Sequence, residues 1–425
     1  MEVRSLRITG ARALLSNRNF GRLLGAQFST VTMLYGLSLA GAVLVEERTS
    51  SSIQIGLVIV SSILPAFLGS LVAGAVVDRW GRKRVLMASH LGRALLAIWF
   101  WAGTGTLPLG AALATIYAVN ATDALLSQFA TPAELALLPD LVEKHRLVPA
   151  NALYQMTMLA GEGLGIVLLS PLLIKTFGVP AVGLAGGGLC LLALALVAGL
   201  PRDQRLTEPG SRTGSLLPRL AADLKAGWLT IGHDRLLRLV TVQATVAATL
   251  LLVLLSLLPG LMSRHLGMPV EDAPLLILPG GLGFVLGAAL LSRWAGRISR
   301  PVWITVGLIG LGLSVLLLSV AGGGPGRLWL ILPPILVMGV ALAFTIISAR
   351  VILQERPPPG MRARVIAAQL AMANAAAVIP LLLGGSLADS VGIRPVMAIL
   401  GLLALGSGLA GWPYARRTSS EGRPR

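Results

Sequence analysis

The sequence contains very little charge for its length. Of its 425 residues only 12% are charged and 5% are aromatic, whereas 55% are hydrophobic, and the mean hydropathy is +0.81. A soluble chain of this size needs more polar surface to cover its core. The composition therefore excludes an ordinary soluble protein and indicates an integral membrane protein.

Acidic residues are scarcer than basic ones, with 18 Asp and Glu against 35 Lys and Arg and a net charge of +17. Such an excess in a soluble protein would suggest nucleic acid as a partner. Here the basic residues stand in short connections between apolar runs, without the clustered basic face and aromatic platforms that a nucleic-acid binder uses. We therefore expect no nucleic-acid partner.

Groups that carry out chemistry are also scarce. The single cysteine, Cys190, lies in an apolar run, so an intramolecular disulfide is impossible, and the 4 histidines are scattered without metal-site spacing. No phosphate-binding glycine loop followed by Lys-Ser or Lys-Thr occurs, and no nucleophile elbow. The sequence predicts a protein that is not an enzyme, holds no metal or other cofactor, and does not hydrolyse ATP.

Long apolar runs dominate what is present. Each run is long enough, at about 1.5 Å per residue, to cross a hydrocarbon core of about 30 Å, and too uniformly apolar for barrel strands. The sequence therefore predicts an all-α membrane protein with twelve transmembrane helices. The runs are 20–45, 53–77, 85–105, 107–129, 151–174, 179–200, 238–262, 273–294, 301–321, 327–349, 365–388 and 393–412.

The distribution of basic residues predicts the orientation, because positive loops resist translocation. With the N-terminus inside, nearly all Lys and Arg residues fall on the cytoplasmic side. The exceptions on the other side are Arg48, Lys175, Arg264, Arg327 and Arg394. We expect a multi-pass protein of a bacterial cytoplasmic membrane with both termini in the cytoplasm.

The chain divides into two related halves. A charged turn from Gly74 to Arg84 joins two apolar runs, and a fainter copy from Ser292 to Arg297 does the same in the second half. The longest connection, 201–237, has a mixed pattern that favours a helix along the cytoplasmic surface. We predict a six-helix N-terminal bundle (1–200), this central connection (201–237), and a six-helix C-terminal bundle with a short cytoplasmic tail (238–425).

These features resemble the major facilitator superfamily of secondary transporters, and within it the bacterial macrolide-efflux and siderophore-export branch. The matching stretches are Asn17 to Phe20, Asp78 to Arg84, Pro132 to Val142, Ala150 to Leu153, and Gln354 to Val365. The resemblance implies two pseudo-symmetric six-helix bundles with alternating access to a central cavity. It also implies efflux by antiport, of the kind that underlies multidrug resistance.

The same resemblance implies a gating role for the charged turn, and the residue types suit it. Gly74 permits close helix approach, Gly81 permits a tight reversal, and Asp78 can accept hydrogen bonds from a helix N-terminus. The basic side chains can bind cytoplasmic carboxylates or lipid phosphates, so membrane lipids are expected partners. They are Arg79, Arg82, Lys83 and Arg84. The alternative is a basic loop that only sets topology.

Ionisable residues inside the apolar runs are few. Arg93 and Asp123 lie at similar depth, about 10–12 Å from the cytoplasmic side at about 1.5 Å per residue, on consecutive helices. Pairing would lower the cost of both charges in the membrane. Two interpretations stay open: a static structural pair, or a pair that breaks during transport while Asp123 accepts a proton.

Glu162 lies near the middle of the fifth run, within a glycine-rich stretch. Because burial disfavours the charged form of a carboxyl group, Glu162 could load and release a proton, or bind a cationic substrate. The alternative is a neutral, hydrogen-bonded Glu at a close helix contact. The second half has no acidic residue well inside a run, so proton coupling would rest on Glu162 and Asp123.

Uncharged polar residues within the runs are candidates for the cavity lining or for hydrogen bonds between helices. They are Gln27, Thr30, Tyr35, Asn120, Tyr154, Gln155, Gln243, Gln369 and Asn374. As a set they favour a mostly apolar cavity and a hydrophobic or amphipathic small-molecule substrate. We expect a monomeric exporter that exchanges this substrate for protons. The alternatives are a lipid or lysolipid flippase, a siderophore-type exporter, and a non-transporting receptor or scaffold.

Overall fold

Helices form all the regular structure in the described part of the chain, and 12 of them are long and apolar enough to cross a membrane. The prediction of an all-α, twelve-helix membrane protein is therefore confirmed. A computed structural model describes residues 14, 16–143, 146–201, 216–294, 298–321, 328–358 and 360–421. The end of the fainter motif copy, 295–297, and much of the central connection, 202–215, lie outside the described residues.

The first half contains six membrane helices. They are α1 (Arg18–Thr49), α2 (Ser52–Trp80), α3 (Arg82–Thr106), α4 (Leu109–Leu141), α5 and α6 (Val179–Ala198). Helix α5 runs as Leu147–Gly163, widens into a π-helix at Leu164–Leu169, and continues as Ser170–Phe177. Single π-helical turns inside α-helices occur frequently at functional sites.

The second half begins with the helix of the central connection, α7 (Leu216–His233), and continues with six membrane helices. They are α8 (Arg235–Gly260, followed by a π-helix at Leu261–Leu266), α9 (Pro274–Arg293), α10 (Arg300–Val320), α11 (Leu328–Glu355), α12 (Arg362–Val391) and α13 (Ile393–Glu421). In α7, Trp228 Nε1 donates a hydrogen bond to the Ala368 carbonyl oxygen of α12 at 3.1 Å.

Several helices are longer than the apolar runs that predicted them. The run 107–129 covers the first part of α4, which begins at Leu109 and continues to Leu141 through Pro132 and Pro139. Hydropathy marks only the part of a helix that suits lipid, whereas backbone hydrogen bonds carry the helix onward into polar surroundings. This extension places Glu134 inside the helix rather than beyond its end.

The chain folds as two compact units. One consists of Met1–Arg48 and Val58–Leu216, and the other of Thr49–Leu57 and Leu217–Arg425. In the first unit α3 packs against α4 and α6, and in the second α10 packs against α11 and α13. Because α10, α11 and α13 occupy the same places in their half as α3, α4 and α6 do in theirs, the helix pairing repeats as the related halves predict.

Residues 49–57 belong to the second unit because Asp389 of α12 caps the start of α2. Its carboxylate accepts hydrogen bonds from the Ser52 backbone N–H at 2.7 Å and the Ser51 hydroxyl at 2.7 Å. Arg264 donates to the same carboxylate at 3.2 Å. The first N–H groups of a helix have no intrahelical partner, so an acid from another helix can satisfy them.

A very close backbone approach in the second unit joins α9 and α11. A Cβ atom added at Gly283 would overlap the Leu336 carbonyl oxygen, whereas one added at Gly281, on the same helix, would meet no atom within 4 Å. We expect Gly283→Ala to destabilise the protein by about 1–3 kcal/mol through overpacking. Gly281→Ala should be neutral or gain up to about 1 kcal/mol from helix propensity. Thermal unfolding in detergent measures both, and equal melting temperatures for the two variants would contradict the close crossing.

Candidate functional site

A buried ion pair lies between α3 and α4 in the first unit. Arg93 Nε donates to Asp123 Oδ1 at 2.8 Å, and Arg93 Nη2 donates to the Ser127 hydroxyl at 2.6 Å. Both charged residues are buried, with 3% and 5% of their surface exposed. The pairing expected from their equal depth in the membrane is therefore present. Its role in transport stays a prediction.

Asp123 also lines a small cavity in the same unit. The walls are mostly apolar, formed by Met33, Leu37, Phe100, Ile116 and Val119 among others, and the volume is about 30 Å³. This is far below the roughly 300–1,000 Å³ of a typical drug-sized pocket. In this conformation the cavity admits a water-sized group beside Asp123, so a larger substrate requires the helices around it to move.

Glu162 lies where α5 approaches α1. It is half-buried, and the Tyr35 hydroxyl of α1 hydrogen-bonds to its carboxyl group. The two helix backbones pack closely beside this contact, since a Cβ atom added at Gly165 would lie 2.5 Å from the Thr32 carbonyl oxygen. The site therefore combines an acid, a hydroxyl partner and an adjacent π-helical turn.

A third acid, which the hydropathy pattern missed, is buried in the first unit. Glu134 of α4 is 6% exposed and Tyr154 of α5 is 3% exposed. The Tyr154 hydroxyl donates to Glu134 Oε2 at 2.6 Å. Arg93 is close enough to Glu134 for electrostatic attraction. One arginine thus faces two buried carboxyl groups.

Two of the four basic residues of the charged turn contact the ends of other helices in their own unit. Arg82 pairs with Asp140 of α4 and donates to the Ala136 carbonyl oxygen at 2.7 Å. Lys83 Nζ donates to the Ala198 carbonyl oxygen at 2.8 Å. Arg79 and Arg84 are exposed, and Gly81 has a φ of 85°, which glycine adopts readily. The surroundings of Gly74 and the Asp78 side chain lie outside the described part of the structure.

The second half repeats these contacts. Arg300 at the start of α10 pairs with Glu355 at the end of α11, as Arg82 of α3 pairs with Asp140 of α4. The N-caps match as well, because Asn17 caps α1 and donates to the Leu141 carbonyl oxygen at 2.8 Å. In the second half Asp234 caps α8 and accepts from Arg356 at 2.8 Å. Corresponding ion pairs and helix N-caps therefore stabilise both halves.

Partial burial of Asp234 favours its neutral form, yet hydrogen bonds from Arg356, Leu237 and Leu236 hold the pKa of this carboxyl group below its usual range. We expect Asp234→Ala to cost about 0.5–2 kcal/mol through the lost cap, with little added by the exposed partner Arg356. Asp234→Asn keeps a good cap and serves as the matched control. Melting temperatures of the two variants and the wild type measure the effect.

The pH dependence of this difference follows from the depressed pKa of Asp234. Its contribution is complete above the unfolded-state value of about 3.9 and is lost as pH falls through the lower folded-state value. The gap in melting temperature between wild type and Asp234→Ala should therefore stay constant from about pH 6 to 8. A melting-temperature difference that disappears between about pH 6 and 8 would contradict a depressed pKa for Asp234.

The other polar candidates divide by their contacts. Asn120 donates to the Val58 carbonyl oxygen at 2.5 Å, and Gln243 donates to the Ser407 carbonyl oxygen at 3.4 Å, so both link helices within one unit. The remaining candidates differ in exposure: Gln27, Thr30 and Tyr154 are buried, Tyr35 and Gln369 are half-buried, and Gln155 and Asn374 are exposed. Their part in a substrate cavity stays a prediction. In the described ranges, no group of three His, Cys, Asp or Glu side chains could hold a metal ion.

Comparison with known proteins gives relatives along almost the whole chain. The chain is 26% identical to "Multidrug efflux pump Tap" of Mycolicibacterium fortuitum, over 96% of this chain and 100% of that protein. It is 28% identical to "Enterobactin exporter EntS" of Salmonella choleraesuis, over 69% of this chain and 68% of that protein.

Solved structures share the fold at low sequence identity. The crystal structure of nucleoside transporter NupG matches with a TM-score of 0.72 and 13% identity, covering 93% of this chain and 98% of that one. A bacterial homologue of the human lysosomal transporter Spinster matches with a TM-score of 0.68 and 14% identity, covering 96% and 99%. The family model of the Major Facilitator Superfamily matches residues 23–379. The chain therefore belongs to the Major Facilitator Superfamily.

Proposed function

We propose that this protein is a secondary active exporter of a hydrophobic or amphipathic small molecule, which it moves outward by alternating access in exchange for protons. Membership of a transporter superfamily supports the class. The names of two relatives, a multidrug efflux pump and an enterobactin exporter, support the outward direction and a small-molecule substrate.

The contact between Glu162 and Tyr35 carries the proton part of the proposal. A carboxyl group midway along a membrane helix is costly when charged and therefore exchanges a proton when its access to water changes. The Tyr35 hydroxyl can donate to the charged carboxylate or accept from the neutral acid, so both states have a partner. Glu162 at the π-helical break of α5 is thus suited to give up its proton as substrate binds.

The Arg93–Asp123 pair and the cavity beside it support the substrate class. Apolar walls with few polar groups favour an apolar or amphipathic molecule over a sugar or an inorganic ion, which would need more fixed polar partners. A positively charged amphipathic molecule would also find an acid at the cavity wall, since Asp123 lines it. The turn around Arg82 braces the helices that surround this cavity and serves, on this proposal, as a cytoplasmic gate.

The location follows from the same proposal. The bacterial relatives and the excess of basic residues in one set of loops support a bacterial cytoplasmic membrane with both termini inside. Arg79 and Arg84 are exposed, which supports binding of their side chains to lipid phosphates. One chain contains both halves of the fold, so a monomer suffices for transport.

Transport of a fluorescent hydrophobic dye by everted membrane vesicles tests this function. Energised vesicles that contain the wild-type protein should accumulate dye, and a proton uncoupler should abolish the accumulation. Vesicles from the same host without the protein give the baseline. Accumulation that persists undiminished with the uncoupler would overturn proton coupling, and a well-expressed protein that moves no dye would overturn the broad hydrophobic substrate class.

A dedicated siderophore-type exporter is the second candidate, favoured by the similarity to an enterobactin exporter over 69% of the chain. In that case a host that lacks its own siderophore exporter should regain secretion of the siderophore when it expresses this protein. Secretion restored without any dye transport would favour this narrower function.

A further inference from the structure

The Glu134 carboxyl group lies beside a buried apolar cluster of the first unit. Its helix neighbours Ala133 and Leu137 belong to one buried apolar cluster with Tyr154, whose other members include Phe20 and Leu86. Glu134 is 6% exposed, and its hydrogen bond at Oε2 comes from the Tyr154 hydroxyl at 2.6 Å. A carboxylate in such surroundings is stabilised only by what lies next to it.

The charges around Glu134 do not balance if every group is ionised. Arg93 is the positive group of this cluster, and its Nε already donates to Asp123 at 2.8 Å. Glu134 lies close enough to Arg93 to attract it as well. Two carboxylates and one guanidinium would leave a net negative charge in a buried site, and taking an uncompensated charge out of water is expensive. One bound proton makes the cluster neutral.

We propose that the cluster of Arg93, Asp123, Glu134 and Tyr154 is a proton-binding site, separate from Glu162, that holds its proton on the Glu134 carboxyl group. Asp123 stays ionised because it holds the direct bond to Arg93. Glu134 keeps its bond from Tyr154 in the neutral form, since a protonated carboxyl group still accepts hydrogen bonds at its second oxygen. Only a proton is gained or lost, from water on either side of the membrane, and no covalent bond between heavy atoms changes.

The other ionisable and polar groups near the cluster do not take this role. His90 of α3 is fully buried, its Nδ1 lies 3.1 Å from the Thr30 hydroxyl of α1, and a second positive charge there would lie beside Arg93. Cys190 of α6 is buried near Arg93 and Asp123. Gln27 of α1, near the Tyr154 hydroxyl, does not titrate.

The position of Arg93 connects this site to the cavity. When Glu134 loses its proton, Arg93 faces two carboxylates, and its bond to Asp123 weakens because the two acids compete for one guanidinium. Asp123 lines the apolar cavity, so the proton on Glu134 controls how much negative charge the cavity wall presents. This coupling step rests on the proposed proton-driven export, whereas the proton-binding site itself does not.

Infrared spectroscopy of the purified protein near pH 7 tests the site directly. The C=O stretching band of a protonated carboxyl group should be present in the wild type and should lose intensity in Glu134→Gln. The matched control is Glu143→Gln, because the Glu143 side chain is 65% exposed and should contribute no such band. If Glu134→Gln does not fold, Tyr154→Phe should shift the band by removing its hydrogen bond. An unchanged band in the variants that fold would overturn the proposal.

Transport in proteoliposomes tests the coupling step. With the membrane potential clamped at zero, each exchanged proton contributes about a tenfold accumulation per unit of pH gradient, since one pH unit is about 1.4 kcal/mol. Glu134→Gln should therefore lower the accumulation ratio of a transported dye by about tenfold at a gradient of about one unit. A wild type that transports nothing would defeat the proposed export and leave the infrared result to decide the site. A Glu134→Gln ratio equal to that of the wild type would overturn the coupling.

Discussion

Replacing Arg93 with alanine should prevent most of the protein from accumulating in folded form. Arg93 holds Asp123 at 2.8 Å in a site where both residues are at most 5% exposed. Breaking a buried pair by removing one partner leaves an uncompensated charge and costs about 3–5 kcal/mol. That is a large fraction of a typical total stability of about 5–15 kcal/mol. The yield of monodisperse protein after detergent extraction and its melting temperature measure the loss.

Two variants control for this interpretation. The double variant Arg93→Met with Asp123→Leu removes both charges and should recover most of the yield, because apolar replacement of a whole buried pair is often neutral or stabilising. The exposed pair of Arg82 and Asp140 gives the contrast, since its side chains are 27% and 43% exposed. Arg82→Met should cost at most about 1 kcal/mol. Equal yields from Arg93→Ala and Arg82→Met would show that the Arg93 pair is not desolvated.

The twelve helices and the Arg93–Asp123 pair could be predicted because both depend on local quantities. Run length and hydropathy identify a membrane helix, and depth along consecutive helices shows which charges can meet. The repeated turn in the sequence indicates two related halves. The structure shows that ion pairs repeat as well, because Arg300 pairs with Glu355 in the second half as Arg82 pairs with Asp140 in the first.

The hydropathy pattern did not identify Glu134, because the apolar run ends at residue 129 whereas α4 continues to Leu141. The signal that could have found it is helical periodicity. Asp123, Ser127 and Glu134 are separated by four and seven residues, which places them on one face of an α-helix. Extending the fourth run through Pro132 would have added a second acid to the face that carries Asp123.

The cap on α2 could not be predicted by any local argument. Asp389 and Ser52 are 337 residues apart, and the carboxylate stands at the end of one membrane helix while the N–H groups begin another. An acid at a helix end normally indicates solvent or headgroup contact. Only the packing of α12 against residues 49–57 turns Asp389 into a capping group.

Replacing Glu162 with glutamine should abolish proton-coupled efflux while leaving the fold intact. Glutamine has nearly the same shape and can still bond to the Tyr35 hydroxyl, which contacts the carboxyl group in the native protein. It cannot bind or release a proton, so substrate binding no longer exchanges for one. Efflux of dye from cells, with and without an uncoupler, should fall to the level of cells without the protein.

Proton release on substrate binding separates Glu162 from Glu134. If Glu162 gives up its proton when substrate enters, adding dye to the purified wild type in weak buffer should acidify the solution. Glu162→Gln should release no proton, whereas Glu134→Gln, with Glu162 intact, should still do so. Tyr35→Phe keeps the carboxyl group but removes its hydrogen-bond partner, so efflux and release should persist at a reduced level. If the Glu162→Gln variant exports dye and releases protons as the wild type does, Glu162 has no part in the mechanism. Coupling in the first half would then rest on the cluster around Arg93 and Asp123.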